Sequence, residues 1–190
     1  MIAIDCETSG LDFQKHQILS IGAIDMESLQ KGKRREFYGE CYLEDNKTWE
    51  KEALTVNGFT EADLKNKTKK SLKELMQDFY NWIQECEEYT IMGQNVFFDK
   101  YFLEDSFKSS GIDFRFPHRI VDIHTLAFYV AKSKGVEIEI KNKKMNFSLR
   151  NIAMMLSLPT EPFPHNALTG AKYDAEIYIR LVSGETLNLI

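Results

Sequence analysis

The chain opens Met1-Ile2-Ala3-Ile4-Asp5-Cys6-Glu7-Thr8-Ser9-Gly10. Residues 2–4 have the apolar character of a short buried strand, and the Ser9-Gly10 pair marks where it ends. Side chains alternate across an extended chain, so Asp5 and Glu7 share one face while Cys6 points to the other. Two carboxylates side by side repel unless a positive charge lies between them. A hard divalent cation with oxygen ligands, Mg²⁺ or Mn²⁺, meets that need. Alone, the pair reads more readily as a strand end on a solvated rim.

Working outward, residues 17–26 form a second, mostly apolar strand, Lys31-Gly32-Lys33 a turn, and residues 35–43 a third strand of partly alternating character. These three segments predict a meander whose first member carries Asp5 and Glu7. A helix follows from near Ser71, where Leu72, Leu75, Met76, Phe79, Ile83 and Cys86 recur at three and four and mark a core-facing stripe. Residues 89–92 read as a short buried strand ending in Gly93-Gln94-Asn95. A helix over residues 99–109 turns Phe102, Leu103 and Phe107 inward and stops at Gly111. A strand over 119–122 leads to a helix over 123–132. Ser148 is a candidate N-cap for a helix carrying Leu149, Ile152, Ala153 and Leu156. Residues 159–164 are a loop, and the last helix spans about 166–182. This order predicts an α/β domain over residues 1–190, with a central mixed five-stranded sheet, antiparallel at its start and parallel further on.

Composition narrows the function classes. At 190 residues and 43 % hydrophobic content, the chain is long enough for one substantial core. It holds no run of eighteen apolar residues and no basic-then-apolar leader, so neither a membrane helix nor a secretory signal is expected. Three widely spaced cysteines make neither a metal motif nor a disulfide framework, which predicts a reducing, cytoplasmic compartment. The net charge of −5 is unhelpful to a nucleic-acid binder unless the acids gather around metals. Residues 65–73 and 132–144 each contain five lysines, the first with no acid and the second with two glutamates. Each is a solvated surface or a guide for a polyanion, and the second could form a hairpin or flap.

Two further positions complete a constellation. Asp99 lies in Gly93-Gln94-Asn95-Val96-Phe97-Phe98-Asp99, and His165 in Pro164-His165-Asn166-Ala167-Leu168-Thr169-Gly170-Ala171-Lys172-Tyr173-Asp174. Singly, Asp99 reads as a helix N-cap and His165 as a solvated loop histidine. In order, the Asp-x-Glu-Thr-Ser-Gly strand end, the Asn-x3-Asp segment and the His-x-Ala-Leu segment resemble the DEDDh-type, DnaQ-like 3′→5′ exonucleases. That group includes proofreading subunits and RNase T-type enzymes. Val56-Asn57-Gly58-Phe59-Thr60 and Val121-Asp122-Ile123-His124-Thr125-Leu126 resemble two smaller family features, and the likeness spans nearly the whole chain.

The resemblance implies an RNase H-like fold and two divalent ions, Mg²⁺ or Mn²⁺. Asp5 would bridge both ions, Glu7 would bind one, and Asp99 would act at the second. His165 would orient and deprotonate the attacking water. Thr8, Ser9, Leu11 and Asn95 would hold the terminal nucleotide, with Phe13 or Phe98 available to stack on bases. The implied reaction hydrolyses single-stranded DNA or RNA ends to nucleoside 5′-monophosphates. The implied assembly is a free-standing domain, a homodimer, or a subunit of a replication, repair or RNA-processing partner.

One departure stands out. The family's last acid lies five residues after its histidine, and that position here is Gly170. Asp174 lies on nearly the same helix face, about 40° off line and about 6 Å further along the axis. Three outcomes follow. Asp174 reaches the metal through a water or a displaced helix; water alone replaces the ligand and weakens the enzyme; or the domain is a catalytically weakened module that binds nucleic acid or a protein.

Overall fold

The computed structural model describes residues 1–190. Strand β1 (Ile2–Thr8) runs through the opening stretch and pairs antiparallel with β2 (Ile18–Asp25). Helix α1 (Met26–Gln30), which the sequence reading passed over, is capped by Asp25 and leads into β3 (Glu36–Glu40), the outer strand. Two short helices follow, α2 (Lys51–Asn57) and α3 (Glu61–Lys65), and then the long α4 (Leu72–Gln84). Strand β4 (Ile91–Gly93) lies parallel to β1, and α5 (Phe97–Ser109) follows it. Strand β5 (Val121–Asp122) and α6 (Ile123–Ser133) come next, then the hairpin of β6 (Ile140–Lys141) and β7 (Lys144–Met145). Helices α7 (Leu149–Met155) and α8 (Ala167–Val182) close the chain.

The main sheet has five strands in the order β3-β2-β1-β4-β5. It is antiparallel from β3 to β1 and parallel from β1 to β5, as the element order predicted. Its two faces are separated by the pleat of β1. Ile2, Ile4 and Cys6 pack with Leu75, Phe79, Phe102 and Phe107 under α4 and α5. Ala3 packs the other way, with Met92, Ala171 and Ala175 under α8. Asp5 and Glu7 continue the Ala3 face, so the alternation expected from an extended chain carries both carboxylates toward α8.

Local chemistry explains the helix starts. Ser71 and Glu74 form a reciprocal capping box at α4, as Ser148 and Asn151 do at α7. Asn166 caps α8 through the backbone N–H groups of Leu168 and Thr169. The α4 stripe is buried as predicted, and each such side chain contributes about 1.5–3 kcal/mol. Asp99 corrects the sequence reading: it is not the N-cap, because α5 already begins at Phe97 and leaves Asp99 inside its first turn.

Glycines set the seat of α8. A Cβ on Gly22 would lie 2.2 Å from the backbone of Ala167 and Leu168, so only glycine lets the helix start rest directly on β2. Gly22 is the register partner of Asp5. The same crossing therefore lowers α8 onto the carboxylate end of β1.

Candidate active site

Asp5 is half-buried, whereas Glu7, Asp99 and Asp174 are nearly inaccessible at 8 %, 4 % and 3 % exposure. Asp99 accepts a hydrogen bond from the Cys6 backbone N–H at 3.0 Å, which ties α5 to β1 between the two strand acids. Asp174 accepts one from the Gln94 N–H at 3.1 Å through Oδ2, while its Oδ1 is buried without a partner. Gly93 makes room there, since a Cβ would come 3.1 Å from Asp174 Oδ2 and 2.7 Å from the Ile4 carbonyl.

Burial dominates the electrostatics of this group. Desolvation first, then the charges of Asp99, Glu7, Asp174 and Glu161, push the Asp5 carboxyl well above its usual range. Desolvation and the Glu161 charge raise Glu7 to about 7. Asp99 rises to about 8, mainly from desolvation and partly offset by the Cys6 hydrogen bond. Asp174 is raised well above its usual range by desolvation, offset by Gln94 and reinforced by Asp99 and Glu161. Acids gathered out of water with no cation facing them hold their protons.

His165 stands on the loop before α8, with its side chain 42 % exposed. Its backbone N–H donates to the Val56 carbonyl at 2.9 Å, and its Nδ1 lies 3.8 Å from Glu161 Oε2. The structure thus brings Glu161 into the same group as Asp5 and Glu7, a residue the sequence reading did not single out. The available signal was its spacing, one helical turn's worth of residues before His165 in a segment punctuated by Pro159, Pro162 and Pro164.

Beside Glu7 opens a cleft of about 360 Å³, lined by Cys6, Thr8, Leu11, Val56 and Phe98 among others. Leu11, 76 % exposed, is free to meet a ligand, and Asn95 is exposed in the left-handed region at φ 55°. Thr8 is buried at the cleft wall, and its hydroxyl donates to the Gly10 carbonyl at 2.8 Å. Ser9 differs from the expectation. It is fully buried, its hydroxyl donates to the Thr48 carbonyl and accepts from the Gln17 N–H, and its own backbone is paired with Gln17 and Glu50. Phe13 stacks on Tyr101 at 5.8 Å instead of facing this cleft, while Phe98 both lines it and packs 4.8 Å from Phe102.

The donor set is hard and anionic. Asp5, Glu7, Asp99, Asp174 and Glu161 offer only oxygen ligands, and the unpartnered Asp174 Oδ1 shows an acceptor unmatched by any protein donor. Such a set suits Mg²⁺ or Mn²⁺. No three of these side chains close into a ready-made cage.

A mixed five-stranded sheet of this order, flanked by helices, defines an RNase H-like fold. Residues 2–178 match the exonuclease family model of RNase T type, and the chain belongs to that family. Among curated proteins it is 30 % identical over 183 residues to the PolC-type DNA polymerase III of Thermotoga maritima, covering 95 % of this chain and 12 % of that one. It is 26 % identical to the DNA polymerase III subunit epsilon of Buchnera aphidicola, covering 97 % of this chain and 75 % of the relative. The chain thus spans only a small part of the polymerase but most of the epsilon subunit. Solved structures of the same fold include the nuclease domain of 3′hExo, a DEDDh family member bound to rAMP, at TM-score 0.68 and 13 % identity over 98 % of this chain and 92 % of that one. Another is Escherichia coli exonuclease I in complex with a dT13 oligonucleotide, at TM-score 0.74 and 14 % identity over 94 % and 40 % of the two chains.

Proposed function

We propose that this chain is a metal-dependent 3′→5′ exonuclease that shortens single-stranded ends of DNA or RNA and releases nucleoside 5′-monophosphates. The observation that carries the reading is the meeting of Asp5, Glu7 and Asp99 beside an open cleft, with His165 on the adjoining loop. Asp5, Glu7 and Asp99 would hold two Mg²⁺ or Mn²⁺ ions, which neutralise a scissile phosphate and make bound water more acidic. His165, with an imidazole accessible from solvent, would orient that water and accept its proton. The cleft lined by Leu11, Val56 and Phe98 would take the terminal nucleoside, with Thr8 at its wall and Asn95 near the mouth of α5.

Basic surface for the rest of the strand comes more readily from residues 132–144 than from 65–73. Lys65, Lys67, Lys69 and Lys70 are already paired with Glu61, Asp45, Glu40 and Asp78. Lys141 and Lys144 lie on the exposed β6–β7 hairpin and make no such pairs. The names of the curated relatives support association with a replication or repair partner. No helix is long and apolar enough to cross a membrane.

The test uses 5′-labelled single-stranded DNA and RNA with the purified chain in Mg²⁺, Mn²⁺ or EDTA, beside Asp5→Ala. A ladder shortening from the 3′ end that needs both metal and Asp5 is expected, and it also reports the sugar preference. Binding without cleavage in either metal would replace this reading with the weakened module that Gly170 allows.

A further inference from the structure

We propose that Glu161 is the fourth acidic ligand of the site, delivered from the loop before α8 in place of the acid that the final helix lacks at Gly170. The inference rests on the metal-dependent reading and deepens it.

Three observations converge. First, position 170 has no room for a side chain unless the Asp5 carboxylate moves aside. A Cβ there would lie 2.2 Å from Asp5 Oδ2 and 2.7 Å from Asp5 Cγ, so any side chain would displace the central carboxylate. Glycine is what lets α8 approach this closely, and the helix gives up a ligand in return. Second, Asp174 is a poor substitute. It lies a turn further on, 3 % exposed, with one oxygen held by the Gln94 N–H beneath the crossing of α8 over β1 and β4.

Third, Glu161 is turned inward, with its carboxylate 3.8 Å from His165 Nδ1. Its side chain is only 10 % exposed, although Pro162, Phe163 and Pro164 beside it are all exposed and nothing forces the glutamate in. Its one ion-pair partner is His165, at 3.8 Å. Its charge is felt at Asp5 and Glu7 on β1 and at Tyr173 and Asp174 on α8. Gly170 touches Asp5 and lies one turn before Tyr173, so these positions surround the Gly170 face of the helix. A carboxylate withdrawn from water beside the carboxyls of Asp5, Glu7 and Asp174 is unfavourable unless a cation joins them.

The experiment is Mn²⁺ binding by isothermal titration, without substrate, to the intact chain and to Glu161→Gln, Glu161→Asp, Asp174→Asn and Asp5→Asn. Thermal melts in EDTA accompany each variant, since removing a repelled acid should leave the metal-free fold at least as stable. The expected result is a loss of about ten-fold or more in Mn²⁺ affinity for Glu161→Gln. Glu161→Asp should retain part of the affinity, and Asp174→Asn should lower it less than Glu161→Gln does. Unchanged affinity in Glu161→Gln overturns the assignment, even if turnover falls through a lost contact with His165. That outcome leaves the exonuclease reading intact as long as Asp5→Asn abolishes binding. A wild-type chain that binds no Mn²⁺ overturns both.

Discussion

The two halves of the site are built on opposite plans. The sheet half, Asp5, Glu7 and Asp99, is fixed by backbone. Asp5 is in register with Gly22, Glu7 with Ser20, and Asp99 is tied to the Cys6 N–H. The loop half, Glu161 and His165, belongs to no ladder, and the histidine's fixed backbone contact is with Val56 on α2. The sheet half collects charge at set positions, and in the proposed reaction the loop half would complete the ligands and move the proton. Loss of a sheet group should therefore remove metal binding and turnover together, and loss of His165 should remove turnover alone.

The sharpest test of that division compares Asp5→Asn with His165→Ala. Asp5→Asn should lower turnover by ~10³-fold or more and remove Mn²⁺ binding. His165→Ala should lower turnover by ~10²-fold or more while Mn²⁺ affinity in calorimetry stays within a factor of about three. A histidine variant that loses metal as completely as the aspartate variant would erase the distinction between the halves.

Next in size is the seam where the halves meet. Gly170→Ala places a Cβ on Asp5, and Gly170→Asp, which restores the family's acid in sequence, does the same with a longer side chain. Both should destabilise the fold by about 1–3 kcal/mol in urea titrations through overpacking. Neither should raise turnover, since the ligand gained would displace Asp5. Enhanced activity in Gly170→Asp would mean that α8 can lift from the sheet at little cost, and that the Gly22 contact does not hold it.

The same contrast explains what the sequence could and could not disclose. Asp5 and Glu7 follow from alternation along one strand, and their facing away from Cys6 needed no tertiary information. The α4 stripe, the Ser148 cap and the change from antiparallel to parallel pairing were likewise local in origin. Asp99 was recognisable by its spacing from Asn95 but misplaced as a cap, because its real partner is the N–H of Cys6, far away along the chain. Ser9 looked available beside Thr8, yet Thr48 and Gln17 consume it, and Thr48 lies 39 residues away along the chain. Glu161 was hidden for a similar reason. A loop broken by three prolines has no periodicity, so nothing local tells which of its side chains turns inward.

The sheet half also has a pH signature of its own. Glu7 shifts from 4.5 to about 7 and Asp99 from 3.8 to about 8 on folding, so the metal-free native state binds more protons than the unfolded chain in that window. The stabilisation these two groups give in EDTA should therefore be fully present only below about pH 4 and be lost as pH rises through about 7 and 8. Each group adds up to about 1.4 kcal/mol per pH unit within its window. Urea unfolding at pH 5, 6, 7 and 8 measures the slope, and Mg²⁺ should flatten it by taking the place of the protons. A flat profile in EDTA would show that the carboxylates are not held against one another as the structure has them.

The smallest effect concerns the two lysine-rich stretches, which differ in the way the site halves do. Residues 65–73 are bound into the surface by ion pairs with Asp45, Glu40, Asp63 and Asp78, whereas the β6–β7 hairpin offers Lys141, Lys143 and Lys144 around a turn with Asn142 and Lys143 at positive φ. A paired lysine must give up its carboxylate before it can meet a phosphate, so it gains little from the exchange. Free lysines release counterions directly from a single strand, each contact adding about 0.7 to the salt slope. Replacing Lys141, Lys143 and Lys144 with Gln should weaken binding of an inactive Asp5→Ala chain to single-stranded DNA by about 2- to 10-fold at ~0.1 M salt and lower that slope. Replacing Lys65, Lys67 and Lys70 should change it by less than about two-fold. Fluorescence anisotropy across a salt series separates the two sets. Equal losses would mean that ion pairing at 65–73 does not withhold those charges from the strand.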